Sequence, residues 1–298
     1  MAARHNRRRS DGYPRDRAVS RFCTSDGLRL AYHDPGPGSA GGPPVLCLPG
    51  LTRDMSDFDD MAAVIGGECR LIRMDYRGRG ASDHDPDFMN YTLPVEARDV
   101  CELLDHLGLD RVAIIGTSRG GLIAMLLAMV ARDRLSGVVL NDVGPELDPA
   151  GLAMITTYLG RDPGFASHQE AADALPGLSA PGFGNVAPDQ WLRAARRWWR
   201  DTPDGLKITY DPRLRDAVLA GMTGPPVDLW PLFDALDGMP LALLRGENST
   251  LLARSTAHEM HRRRPDMIHA EIPDRAHVPF LDEPAAIAAI RALLARIK

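Results

Sequence analysis

Val112-Ala113-Ile114-Ile115-Gly116-Thr117-Ser118-Arg119-Gly120-Gly121-Leu122-Ile123-Ala124-Met125 is the stretch on which the fold turns. It opens with a short apolar run lacking strict alternation, as a strand buried on both faces of a parallel sheet would. Gly121–Ala131, at its far end, is apolar enough to be a buried helix. Between the two, Gly116–Gly120 fits Gly-x-Ser-x-Gly. A strand that turns straight into a helix crowds the corner, so glycines flank the middle residue. Ser118 is then expected in a strained conformation, its hydroxyl exposed at a helix N-terminus where partial positive charge favours a developing anion. The bland alternative is a tight turn with a capping serine.

Outward from this corner the rhythm of strand and helix continues. Val45–Leu48, Leu71–Asp75 and Gly137–Asn141 are apolar runs of strand length, and Arg21–Asp34 reads as a hairpin turning at Asp26-Gly27. Val100, Leu103, Leu104 and Leu107 mark one face of a helix that Gly108 is placed to end. Leu241–Arg245 and Met267–Ile272 resume the strands, and Ile287, Ile290, Leu294 and Ile297 mark a closing amphipathic helix. The pattern predicts an α/β fold with a doubly wound, mostly parallel sheet. It breaks between Gly144 and Pro231, where proline, glycine and tryptophan crowd together. Residues 21–143 and 232–298 are therefore read as the core, and 144–231 as an inserted, mostly helical cap. Within the cap, Trp191, Leu192, Ala195, Trp198 and Trp199 share one helical face, with Arg193, Arg196, Arg197 and Arg200 on the other.

Composition narrows the class. Hydrophobic residues are 44% and charged residues 25% of the 298, ordinary for a soluble globular protein, and the net charge of −5 provides no field to recruit nucleic acid. The longest apolar stretch, Leu122–Ala131, is too short to span a bilayer. Cys23, Cys47, Cys69 and Cys101 lie far apart with no C-x-x-C pair, so a reduced, cytoplasmic setting is expected. Seven arginines, Arg4 to Arg21, crowd the first stretch without a following apolar segment, which reads as a disordered basic tail over residues 1–20.

Taken with their order, several motifs resemble the α/β-hydrolase superfamily from about Arg21 onward. Leu48-Pro49-Gly50-Leu51 is similar to that family's loop after the third strand, with Pro49 where histidine is usual. Met74–Asp83 is similar to its D-x-R-G-x-G-x-S segment, Asn141–Pro145 to its exit into the cap, and Ala276–Pro284 to its catalytic-histidine loop. The resemblance implies a serine hydrolase. Ser118 is the nucleophile, His277 the general base, and the backbone N–H groups of Leu51 and Arg119 the oxyanion hole. No cofactor and no metal are expected; the partner is a small-molecule acyl substrate, and neither nucleic acid nor membrane. The oligomeric state is not legible.

The acid is the departure. Relatives of this kind resemble R-G-E-x-S-D-L-L after the seventh strand, whereas this chain reads Arg245-Gly246-Glu247-Asn248-Ser249-Thr250-Leu251-Leu252. Thr250 cannot supply a negative charge. Asp142, at the end of the sixth strand, is the first candidate and Glu247 the second; a Ser–His dyad is the third possibility. A serine at position 118 argues against dehalogenases and epoxide hydrolases of the superfamily, which attack with aspartate. Ester or lactone hydrolysis through an acyl-enzyme on Ser118 leads, with C–C hydrolysis of a diketone-type substrate, or a weakly active ligand-binding scaffold, as alternatives. Trp191, Trp198 and Trp199 are candidates to line an apolar pocket, though such a stripe also suits core packing. Arg119, beside the nucleophile, is a candidate contact for an anionic substrate.

Overall fold

In the computed structural model, residues 19–179, 181–224 and 227–297 are described. The basic tail expected over residues 1–20 lies, through residue 18, outside them; Ser20 already belongs to the first strand. Among the described residues the elements run β1 Ser20–Cys23, β2 Arg29–His33, β3 Pro44–Leu48, α1 Asp59–Ile65, β4 Arg70–Met74, α2 Leu93–His106, β5 Val112–Thr117, α3 Arg119–Val130 and β6 Leu135–Asn141. They continue with α4 Pro149–Tyr158, α5 His168–Ser179, α6 Pro188–Trp198, β7 Trp199–Thr202, β8 Gly205–Ile208, α7 Leu214–Gly221 and α8 Trp230–Asp234. Last come β9 Leu241–Gly246, α9 Arg254–Arg263, β10 Ile268–Ile272 and α10 Pro284–Leu294.

Eight strands form one sheet in the order β1-β2-β4-β3-β5-β6-β9-β10. The β1–β2 and β2–β4 pairings are antiparallel, and every pairing from β4 to β10 is parallel. Alternate residues of the inner strands feed opposite faces. Leu46, Leu48 and Ile114 pack with α2, α3 and α8, whereas Val45, Cys47, Ala113 and Ile115 pack with α1 and α10. Burial on both faces is why these runs read as continuously apolar. β3 leads to β4 on one side while β5 leads to β6 on the other. The chain thus reverses its direction of travel between β3 and β5, the place where such sheets leave a crevice beyond the carboxyl ends of their strands.

The turn that follows β4 works structurally, as its glycines imply. Gly78 and Gly80 have φ of 71° and 53°, and a Cβ on Gly80 would stand 2.3 Å from Asp75 Oδ2. Buried Asp75 accepts from the N–H groups of Met55 and Ala81, at 2.7 and 2.8 Å, tying the chain just past the β3 loop to this turn. Arg77, without exposed surface, donates to Asp99, Asp85 and Asp26 and so clamps α2 and the β1–β2 hairpin onto it.

Between β6 and β9 lie α4 to α8 and a separate two-stranded β7–β8 hairpin. Two details of the helical reading change. Trp199 and Arg200 belong to β7, not to the helix: they pair with Ile208 and Lys207, and the hairpin turns at Gly205, whose φ of 92° and approach to the Phe165 carbonyl leave no room for a Cβ. Arg197, on the face opposite the tryptophans, is buried and donates to Asp60 at 2.8 Å, because α6 is covered on that side by the segment leading into α1. No helix among the described residues is long and apolar enough to cross a membrane.

Candidate active site

Ser118 occupies the corner between β5 and α3 with φ 50° and ψ −111°, a conformation that an L-residue adopts only under constraint. The constraint is close packing. A Cβ on Gly116 would lie 2.5 Å from the Gly120 carbonyl, and one on Gly120 would lie 2.1 Å from the Leu48 oxygen. Both glycines of the motif are therefore demanded by the helix lying directly on β3 and β5. The Ser118 N–H donates to the Asn141 carbonyl at 3.0 Å, and its hydroxyl caps no backbone group of the helix. That hydroxyl is 3.0 Å from His277 Nε2.

His277 stands on the loop between β10 and α10. Asn141 Nδ2 donates to the Pro279 carbonyl at 3.2 Å and to Thr117 Oγ1 at 3.1 Å, binding that loop to the ends of β5 and β6. Glu283 closes it from the other side, accepting from Arg275 Nε at 2.8 Å and from the Phe280 N–H at 2.9 Å. His277 Nδ1 lies 2.8 Å from Asp142 Oδ2. A carboxylate on Nδ1 fixes the tautomer: Nδ1 carries the proton and Nε2 offers its lone pair to the Ser118 hydroxyl.

Asp142 is the acid that the structure brings to the histidine. It follows β6 with a left-handed φ of 54°, and its N–H still donates to the Leu244 carbonyl of β9 at 2.7 Å. Its side chain is fully buried. Oδ1 accepts from the Gly246 N–H at 2.8 Å, and Oδ2 accepts from Ser249 Oγ at 2.7 Å as well as from His277. Three donors offset the desolvation of a buried carboxylate, which otherwise costs several kcal/mol, on the order of the penalties for unpaired buried ions. Glu247 points elsewhere: exposed, it accepts from the Asp274 N–H at 3.2 Å and does not meet His277. Thr250 is exposed.

The loop after β3 approaches the same corner. The point where a Gly50 Cβ would sit is 4.0 Å from Ser118 Cβ. Among the described residues the N–H groups of Leu51 and Arg119 donate to no other atom; Arg119 is the first residue of α3, where helix geometry leaves the N–H free. One carboxylate steadies both segments. Glu96, wholly buried on α2, accepts from Arg119 Nε at 2.6 Å and lies 2.9 Å from Arg79 Nη1, while Arg79 Nε donates to the Leu51 carbonyl at 3.1 Å. Burial holds the Arg79 guanidinium below its ordinary range, with Glu96 pulling it back up. The Arg119 side chain is thus committed to Glu96 and the Tyr91 carbonyl, not offered to a substrate as the sequence reading entertained. Glu96 was missed there, yet it falls on the stripe of Val100, Leu103 and Leu107, where a charge needs a buried partner.

The three tryptophans part company. Trp191 is core, packed against Phe183 and Phe280 with ring centres 5.8 Å from each. Trp199, within β7, meets Phe165 in a tilted contact with ring centres 5.8 Å apart. Trp198, half-buried, lies under the Arg53 guanidinium at 3.8 Å.

Parallel strands whose carboxyl ends gather a serine, an imidazole and a buried carboxylate, beneath helices on both faces, mark the class as a hydrolase of the α/β type. The chain belongs to the alpha/beta hydrolase family, whose model matches residues 45–290. It is 37% identical over 269 residues to the 3-hydroxybutyrate-oligomer hydrolase of Cupriavidus necator, spanning 87% of this chain and 90% of that protein. The crystal structure of an alpha/beta hydrolase from Novosphingobium aromaticivorans is 41% identical and superposes with a TM-score of 0.87, covering 94% of this chain and 99% of the other. A putative 2-succinyl-6-hydroxy-2,4-cyclohexadiene-1-carboxylate synthase of Bacillus subtilis is 26% identical over 272 residues, 88% of this chain and 93% of that protein.

Proposed function

We propose that the protein hydrolyses carboxylic esters through an acyl-enzyme on Ser118. The observation that carries this reading is the continuous chain from Asp142 through His277 to the Ser118 hydroxyl, with contacts of 2.8 and 3.0 Å. As Ser118 Oγ forms its bond to the ester carbonyl carbon, His277 Nε2 takes the hydroxyl proton. The imidazolium that results is stabilised by Asp142. The carbonyl oxygen becomes an oxyanion and is held by the N–H groups of Leu51 and Arg119, two donors already oriented before the reaction. The intermediate collapses, the alkoxide leaves, and His277 hands it the proton. Water then repeats the sequence: His277 accepts its proton, the hydroxide attacks the acyl carbon, and Ser118 departs reprotonated.

The weakly active alternative rested on the loss of the acid at position 250. With a buried, triply hydrogen-bonded Asp142 on His277, that argument loses its premise. The kinship to a hydrolase acting on 3-hydroxybutyrate oligomers, whose repeating link is an ester, favours ester over C–C cleavage. Residues 144–231 are assigned the role of a cap over the site. Support comes from Leu51, which packs with Leu159 and Tyr210, and from the bridge between Arg79 and Tyr210.

Short-chain 4-nitrophenyl esters and a fluorophosphonate probe test the proposal together. Hydrolysis and labelling are expected in the native protein, and both should vanish in Ser118→Ala, with turnover down by at least about 10⁴-fold. A folded protein that neither turns over such esters nor takes up the probe at Ser118 defeats it.

A further inference from the structure

We infer that Arg53 binds a carboxylate on the substrate, so that the preferred esters carry a free acid group on a short acyl or alcohol arm. This deepens, and rests on, the reading of Ser118 as the acylated residue.

Three observations point to a receptive cation on the loop that borders the nucleophile. First, position: Arg53 closes the turn that presents Leu51, its N–H donating to the Gly50 carbonyl at 3.2 Å. The point in space that a Gly50 Cβ would occupy is 3.5 Å from Arg53 Cγ and 4.0 Å from Ser118 Cβ. The arginine stem and the nucleophile thus border the same small space beside Gly50. Second, the guanidinium is held in place while its terminal nitrogens are left open. It lies 3.8 Å over the Trp198 ring, and its Nε stands 3.7 Å from Asp57. Among the described residues its two terminal nitrogens donate to nothing, and the side chain keeps 27% of its surface. Third, its arginine neighbours are spoken for. Arg79 and Arg119 pair with Glu96, and Arg197 pairs with Asp60.

The geometry suits a carboxylate. A guanidinium stacked on an indole keeps its plane, leaving its outer edge to donate two parallel hydrogen bonds to an incoming carboxylate. The walls are aromatic, and Arg53 is near enough to Tyr158 and Tyr210 for its charge to oppose the upward push that burial exerts on both phenols. Asp57 tempers the cation without taking its terminal nitrogens: burial raises the Asp57 carboxyl, and Arg53 and Arg197 lower it. Trp198, expected to line the pocket as an apolar surface, serves here as the platform for the charge.

The test uses two esters that differ in one methyl group, mono-4-nitrophenyl glutarate and its methyl ester. The native protein should prefer the anion, and Arg53→Gln should lower kcat/KM for the anion by about 100-fold, mainly through KM, while the neutral ester falls by no more than about threefold. Arg53→Lys should lie between, since it keeps the charge and loses the paired donors. Absence of preference in the native protein, or equal losses on both esters, overturns the assignment. Should neither ester be cleaved and Ser118 not be labelled, it is the acyl-enzyme reading that fails. Calorimetry then judges Arg53 alone: monomethyl glutarate should bind Ser118→Ala protein and not the Ser118→Ala, Arg53→Gln protein. Equal binding to the two overturns it.

Discussion

The ends of β6 and β9 lie side by side and divide one task between them. Pairing of Asn141 with Leu244 sets the register, so the residue after β6 meets the turn after β9. The β6 end contributes a charge, Asp142, fully buried. The β9 end contributes only donors: the Gly246 N–H at 2.8 Å and the Ser249 hydroxyl at 2.7 Å. The β9 turn is shaped for that purpose, since the Ser249 N–H returns to the Gly246 carbonyl at 2.9 Å, and Gly246 lies so close to the histidine loop that a Cβ would stand 2.6 Å from the Arg275 and Ala276 oxygens. Together they hold one carboxylate oxygen at His277 Nδ1 with its hydrogen-bond donors in place. In this chain the β6 end supplies the charge and the β9 end the hydrogens, so the two ends are complementary.

The largest effect should come from removing the charge. Asp142→Asn keeps the shape but turns an N–H₂ toward groups that already donate, and turnover of 4-nitrophenyl esters is expected to fall by about 10⁴-fold, as loss of the acid does in triads generally. A fall below about tenfold would mean that His277 works without it. Moving the charge to the neighbouring turn is the sharper trial. Thr250 is exposed while the acceptor site is buried, so adding Thr250→Asp to Asp142→Asn should recover no more than about tenfold. Full recovery would show that the β9 turn can rotate inward, and that the two ends are interchangeable rather than complementary.

How far the sequence anticipates this division follows from what each signal encodes. Strands and helices were legible because burial on one or two faces leaves a period, and the Ser118 corner because glycines mark close packing; β5 and α3 fall where the apolar runs lie. The kinship and the fold follow from the same segments. The loop signature anticipates the place of His277 beside Ser118. The acid was not fixed, because Asp142 and Glu247 sit at ends of adjacent strands and only register and side-chain direction separate them. Glu247 was in the expected turn yet faces outward to Asp274. Trp199 was misread since a stripe carries no mark of where hydrogen bonding passes from helix to hairpin. Arg53 gave no signal at all: its meaning comes from Trp198, far along the chain.

The smaller effects test the donors. Ser249→Ala removes the hydroxyl from Asp142 and the acceptor for the N–H groups of Leu251 and Leu252, at 3.3 and 3.1 Å. Two donors then remain on the carboxylate. Stability should drop by about 1–2 kcal/mol in denaturant unfolding. Turnover should drop roughly tenfold, about the rate equivalent of that loss if the carboxylate's orientation rather than its charge is impaired. A loss as large as that of Asp142→Asn would mean the hydroxyl is as essential as the charge. Glu247→Gln completes the series from the opposite direction. Its carboxylate is exposed and, among the described residues, holds only the Asp274 N–H, which a glutamine carbonyl can accept equally well. Turnover should therefore stay within about twofold of native, the range in which surface changes without a buried partner fall. If instead Glu247→Gln is as damaging as Asp142→Asn, the carboxylate that matters is on β9, and the division of labour between the two strand ends is reversed.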